Sequence, residues 1–294
     1  MTHLKNKKIL VTGGVGSIGS CIVKKLLDMD VNTVRILDID ETALFYMGEK
    51  YDRKKIRLLV GDVKDKDRLD SAMEDIDVVF HCAALKHVPL CEYNPFEAVK
   101  TNVVGTNNLI ELSIKNNIKM VVNVSTDKAV NPITVMGTTK LLAERMIASS
   151  HFRRGDNTTR FCSVRFGNVK NSRGSMYPVF MKQIKEDKCL YVTDMNMSRF
   201  MMDIDDAVKL VIKVSGMCKG GEIFILKMKE YSIGKIATSL SKKYKVPIKI
   251  IGNRGNEKIQ EELMTKDEKK IMNEYKDMYV IPHIEQPYKP KEIQ

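Results

Sequence analysis

The run "KKILVTGGVGSIGS", from Lys7 to Ser20, constrains this chain more than any other stretch. A short apolar strand enters a glycine turn, and an amphipathic segment with apolar residues at Ile22, Val23, Leu26 and Leu27 follows. Glycines at 13, 16 and 19 keep Cβ atoms out of the corner between strand and helix, so backbone N–H groups and the helix N-terminus can approach a pyrophosphate. A strand before and a helix after are the context that gives a glycine triplet meaning. The second candidate strand, "TVRILD", ends at Asp38. A carboxylate there hydrogen-bonds both hydroxyls of an adenosine ribose and repels a 2′-phosphate. The expected cofactor is NAD, with NADP as the alternative.

The strand–helix alternation continues through the first half. Candidate strands are "KILVT", "TVRILD", "IRLLV", "DVVFHC", "MVVNVS" and "RFCSVRF", separated by helical patterns, as in a parallel sheet flanked by helices. Beyond about Phe166 the pattern loosens, with helices expected at "IDDAVKLVIKV" and "IGKIATSLSKKY" and strands at "EIFIL" and "IKII". The fold class is α/β: a Rossmann-type doubly wound parallel sheet with a smaller C-terminal α/β substrate-binding part. Residues 1–166 form the dinucleotide-binding domain and 167–294 mainly the substrate-binding one, the two interleaved. Asp62 and Val63 follow the third strand and Ala83, Ala84 and Leu85 the fourth, where adenine and ribose would lie. Ser17, Ile18, Asn102 and Lys140 complete the expected cofactor set.

Composition narrows the class. A chain of 294 residues with 43% hydrophobic and 29% charged residues is an ordinary globular protein. Its apolar runs of about five residues fall far short of the roughly 20 that span a bilayer, and the N-terminus carries no signal-peptide pattern. Six cysteines without a Cys-x-x-Cys pair predict reduced thiols, no metal framework and a cytoplasmic location. The net charge of +12 comes from lysines dispersed among acids, without the aromatic-interleaved basic stripe of a nucleic-acid binder.

Three further stretches carry a specific resemblance: "AALKHVPLCEYNPFEAVKTNVVGTNNLIE", "STDKAVNPITVMGTTKLLAE" and "VRFGNVKNSRGSMYPVF". They resemble the nucleotide-sugar 4,6-dehydratases of the extended short-chain dehydrogenase/reductase superfamily. Within it the nearest likeness is to the inverting UDP-N-acetylglucosamine 4,6-dehydratases of the polysaccharide biosynthesis protein family. The likeness runs from about Lys7 to Leu263. It implies a hydro-lyase with a tightly bound, recycled cofactor, a UDP-sugar substrate, a 4-keto-6-deoxy product for surface glycans, and a homo-oligomer.

The resemblance also assigns roles. Asp127 is the acid that protonates the departing C6 hydroxyl, and Lys128 is the base at C5, the Asp-Lys pair accompanying inversion. Thr126 fills the hydroxyl position of the superfamily's triad, and Lys140 hydrogen-bonds the nicotinamide ribose. Met136 stands where most of the superfamily has tyrosine, so deprotonation of the C4 hydroxyl falls to Thr126, Asp127 or Lys128. A pKa of Lys128 depressed by Lys140 and the cofactor is expected, and Asp127 is expected near solvent. The substrate set is Lys86, Asn168, Arg173, Ser175, Arg199, Arg254 and Glu257. At the last of these "RGNEK" departs from the family's Arg-Pro-Gly-Glu-Lys, which loosens the loop. Rival readings are a UDP-sugar 4-epimerase or reductase of the same fold, and an inactive dinucleotide-binding protein.

Overall fold

The computed structural model describes residues 2–170, 172–252 and 257–282. The first half repeats strand and helix: β1 (Lys8–Thr12), α1 (Ser17–Leu27), β2 (Thr33–Asp38), α2 (Glu41–Lys50), β3 (Ile56–Val60), α3 (Lys66–Met73) and β4 (Val78–His81). Three helices then follow, α4 (Val88–Tyr93), α5 (Pro95–Val99) and α6 (Gly105–Lys115), the last two joined through a π-helical turn at Lys100–Val104. β5 (Met120–Val124), the long α7 (Val135–Arg153) and β6 (Arg160–Arg165) complete this part. Caps set several helix starts: Asp40, Asp65 and Thr134 accept from Ala43, Arg68 and Gly137 N–H, so α2, α3 and α7 begin where a short polar side chain satisfies an orphan donor.

The second half contributes β7 (Asn168–Val169), α8 (Met176–Glu186), β8 (Leu190–Val192), β9 (Ser198–Met202), α9 (Ile204–Val214), β10 (Ile223–Leu226) and β11 (Lys229–Ser232). It ends with α10 (Ile233–Tyr244), β12 (Ile248–Ile250), α11 (Lys266–Ile271), β13 (Asn273–Glu274) and β14 (Met278–Ile281). The main sheet runs β13-β14-β10-β6-β5-β4-β1-β2-β3. Every pairing from β3 to β10 is parallel, and β14 and β13 add antiparallel at the edge. All four residues of β4 are buried, as a strand covered on both faces requires.

The chain therefore returns to the first half's sheet with β10, β13 and β14. The separate part consists of two small sheets, β11-β9-β7 and β12-β8, and an apolar cluster of Phe180, Ile184, Leu190, Val192, Ile233 and Leu240 that joins α8, β8 and α10. β1 pairs with β2 on one side and β4 on the other. The strand order reverses at that point, and in open α/β sheets ligands bind in the crevice beyond such a switch.

Candidate active site

A cleft of about 690 Å³ opens at that switch. Gly13, Gly16, Ser17, Ile18, Gly19, Asp38, Asp62, Val63, Ala83, Ala84 and Leu85 line one end of it. Gly13 has φ +64°, and a Cβ there would stand 2.6 Å from the Ala83 nitrogen, so only glycine permits this close pass of two strand ends. Gly16 caps α1 without a side-chain hydrogen bond, which leaves the N-terminal N–H groups of an 11-residue helix to a ligand. Asp38 is anchored, its two oxygens accepting from Val15 N–H (3.0 Å) and Asp40 N–H (3.2 Å). Arg35 spends its guanidinium on Ala72 and Glu74 carbonyls (3.0 and 2.7 Å), away from any 2′-phosphate. A glycine cradle, an open helix end and a fixed carboxylate fit a dinucleotide with a free ribose.

Asn102 contributes indirectly. Buried, it accepts from Leu85 N–H (2.8 Å) and donates to Leu85 O and Thr139 Oγ1 (both 3.0 Å), fixing the backbone of the cleft wall instead of lining it.

The other end of the cleft gathers Ser125, Thr126, Lys128, Met136, Lys140 and Asn168. Thr126 caps a single 3₁₀ turn, Asp127–Ala129, at the carboxyl end of β5. Its hydroxyl donates to Asp127 Oδ1 at 3.0 Å, and Lys128 Nζ donates to the same oxygen at 3.1 Å and to Asn168 Oδ1 at 3.3 Å. Asp127 itself is 1% exposed, so it stands behind Thr126 and Lys128 and not near solvent as the sequence suggested. Gly167 leaves room for this: a Cβ there would lie 2.7 Å from Asp127 Oδ2. Oδ2 has no hydrogen-bond partner among the described residues.

The expected depression of the Lys128 pKa is also corrected. Burial and Arg199 pull it down, but Asp127 and Glu261 outweigh them, and it stands above its ordinary value. Glu261 was not singled out in the sequence. Its carboxylate is 3.4 Å from Lys128 Nζ.

Burial does depress Lys140, to about 8, although Glu144 opposes the shift. Its Nζ donates to Val124 O at 2.7 Å, at the end of β5. Met136, one turn earlier on α7, is buried with Cys91 and Ala98. Between pH about 8 and 10.5 the unfolded chain holds the Lys140 proton and the native one does not, so this group makes stability rise with pH over that window. Lys140→Met should remove the rise, as urea denaturation at several pH values between 7 and 10 would measure.

The substrate residues named from the sequence divide. Lys86, Asn168, Arg173 and Ser175 line the cleft. Arg173 reaches the glycine turn: its guanidinium donates to Val15 O, its N–H to Ser17 Oγ (3.0 Å), and Lys86 Nζ donates to its carbonyl (2.6 Å). Ser175 Oγ is buried without a partner among the described residues. Arg199 is buried and outside the cleft wall, donating to Ser198 O (2.7 Å) and Ile259 O (3.2 Å), which ties β9 to the segment carrying Glu261. Glu257 is partly buried at the start of that segment, and Arg254 lies outside the described residues.

The comparisons with known proteins give the family. Residues 9–283 match the model of the family described as "Polysaccharide biosynthesis protein", and the chain belongs to that family. An uncharacterized membrane protein of Methanocaldococcus jannaschii is 53% identical, over 94% of this chain and 86% of its own length. A Campylobacter jejuni protein named UDP-N-acetylglucosamine 4,6-dehydratase (inverting) is 40% identical, over 94% and 82%. A Rickettsia canadensis protein named UDP-glucose 4-epimerase is 38% identical, over 94% and 83%. The X-ray structure of Pen from Bacillus thuringiensis superposes with a TM-score of 0.92 at 44% identity, covering 95% of this chain and 90% of that one. Among the described residues no helix is long and apolar enough to cross a membrane.

Proposed function

We propose that the chain is an NAD-dependent UDP-N-acetylglucosamine 4,6-dehydratase of the inverting type. The observation that carries the reading is the Thr126–Asp127–Lys128 cluster beside the glycine cradle, in a cleft that no tyrosine lines among the described residues. Epimerases and reductases of the superfamily work through the tyrosine that Met136 replaces, and the name of the Campylobacter relative agrees with the dehydratase reading. The name of the Rickettsia relative favours the epimerase, which the test below separates.

In this reading NAD, when bound, supplies the oxidation of sugar C4 and the later reduction of C6. Thr126, the more exposed partner of Asp127, takes the C4 hydroxyl proton and passes it along its 3.0 Å hydrogen bond to Asp127 Oδ1. The buried Asp127 thereby becomes a carboxylic acid and returns that proton through the Thr126 hydroxyl to the departing C6 hydroxyl, which leaves as water. Once C4 is a ketone the C5 proton is acidic enough for an amine, and Lys128, whose side chain is 23% exposed, removes it after releasing its own ammonium proton to solvent. Reprotonation of C5 from the opposite face inverts the centre. Asp38 and the absence of a nearby free arginine among the described residues favour NAD over NADP.

The six cysteines are all free thiols, which supports a reducing cytoplasmic setting. Leu90, Tyr93 and Phe96, exposed together on α4 and α5, support association of this chain with a second copy. Incubation with UDP-N-acetylglucosamine in deuterated water, followed by proton NMR, tests the function. The expected product has a C6 methyl signal, the L-arabino configuration and deuterium at C5. A 4-epimer signal without a methyl would overturn the dehydratase, and a D-xylo product would remove Lys128 as the inverting base.

A further inference from the structure

Glu261 is a carboxylate in an unusual place. Its side chain is 4% exposed, it lies 3.4 Å from Lys128 Nζ and 3.8 Å from Lys258 Nζ, and its Oε2 has no hydrogen-bond partner among the described residues. A buried carboxylate oxygen left without a hydrogen bond costs about 1–3 kcal/mol, which the two neighbouring lysines offset. The segment that carries it is tied down at two points. Arg199 donates to Ile259 O (3.2 Å), and Lys258 donates to Val130 O (2.6 Å), just past the 3₁₀ turn of Asp127 and Lys128.

We propose that Glu261 is a positioning residue that governs the proton on Lys128, so that the acid–base unit is a lysine between two carboxylates and not the Asp-Lys pair alone. The proposal rests on the role given to Lys128 in the dehydratase reading, but the contact itself does not. All the charged groups facing Lys128 or Glu261 enter the account. Asp127 and Glu261 favour the ammonium, and Arg199 opposes it. Lys258 competes for Glu261, and Asn168 accepts from Lys128 without charge. With Asp127 protonated by the C4 hydroxyl, Glu261 is the remaining anion beside Nζ. It holds the ammonium in place between turnovers from 3.4 Å away.

The direct test needs no turnover. Acetylation of Lys128 by acetic anhydride, followed across pH by peptide mass spectrometry, reports the fraction of free amine, with exposed lysines of the same digest as internal reference. Wild-type Lys128 should titrate above those references. Glu261→Gln should move its midpoint down by about one unit or more, the effect of losing one opposite charge at this range. Lys258→Met should move it up, because Glu261 then serves Lys128 alone. The limb of the kcat profile that reports Lys128 should shift in the same two directions. Opposite shifts from neighbouring substitutions are not what a loosened structure gives. An unmoved midpoint in Glu261→Gln overturns the proposal. If that variant does not fold, a wild-type midpoint at or below the exposed lysines overturns it equally. Absence of any UDP-N-acetylglucosamine turnover, with the acetylation shifts intact, would sink the function and leave the Glu261–Lys128 link standing.

Discussion

Asp127→Asn is expected to leave a folded protein that forms the C6-methyl product about 10²-fold more slowly or worse, the usual worth of a positioned general acid. The amide keeps an oxygen for the Thr126 hydroxyl and the Lys128 ammonium, so the hydrogen bonds at 3.0 and 3.1 Å have a replacement acceptor. It cannot carry the proton from the C4 hydroxyl to the leaving group. Removing a negative charge from beside Lys128 also makes the amine easier to free, so the loss falls on protonation of the C6 hydroxyl and not on removal of the C5 proton. Deuterium exchange at C5 of substrate against methyl formation, read in one NMR time course, separates the two. Turnover at the wild-type rate would take Asp127 out of the mechanism.

The second large effect lies beneath the site. Arg165, 1% exposed on β6, forks onto Glu144 of α7 (2.6 Å) and Glu268 of α11 (3.0 Å) and also donates to Leu263 O (3.0 Å). Arg165→Met should cost about 3–5 kcal/mol in urea denaturation, because it strands two buried carboxylates. Combining it with Glu144→Gln and Glu268→Gln should recover much of the loss. Burial alone would raise the Glu268 carboxyl, but Arg165 holds it below its ordinary 4.5. Its contribution is therefore complete above that pH and disappears as acid protonates the folded form. Wild type should lose stability on acidification more steeply than the triple variant.

Much of this was legible in the chain. The six strands of the first half were marked by β-branched apolar runs, since a strand covered on both faces has no polar face to blur it. Helices at Ile204–Val214 and Ile233–Tyr244 also stood out. The helix Met176–Glu186 did not: Pro178 in its first turn reads as a breaker, and only Phe180 and Ile184 bury. The Thr126–Asp127–Lys128 cluster is contiguous and announced itself, whereas Glu261 sits in "QEEL", which looks like a solvated surface run. Asp127 was expected near solvent because the close approach of Gly167 to its carboxylate joins residues 40 apart, which no local pattern encodes. Arg173, read from the sequence as a substrate ligand, lines the cleft, and its contact with the glycine turn was not legible because it joins residues 156 apart.

The Arg165 fork has a consequence in time as well as in energy. Its partner Glu268 lies 103 residues further along the chain, and Glu261 belongs to the same late segment. Contacts this distant in sequence form only after the intervening chain has been made and closed into a loop. During synthesis β1 to β6 can assemble with their glycine turn while Lys128 still faces unfinished protein. The glycine turn is thus built from contacts that are available early, whereas the surroundings of Lys128 wait for the segment that carries Glu261 and Glu268.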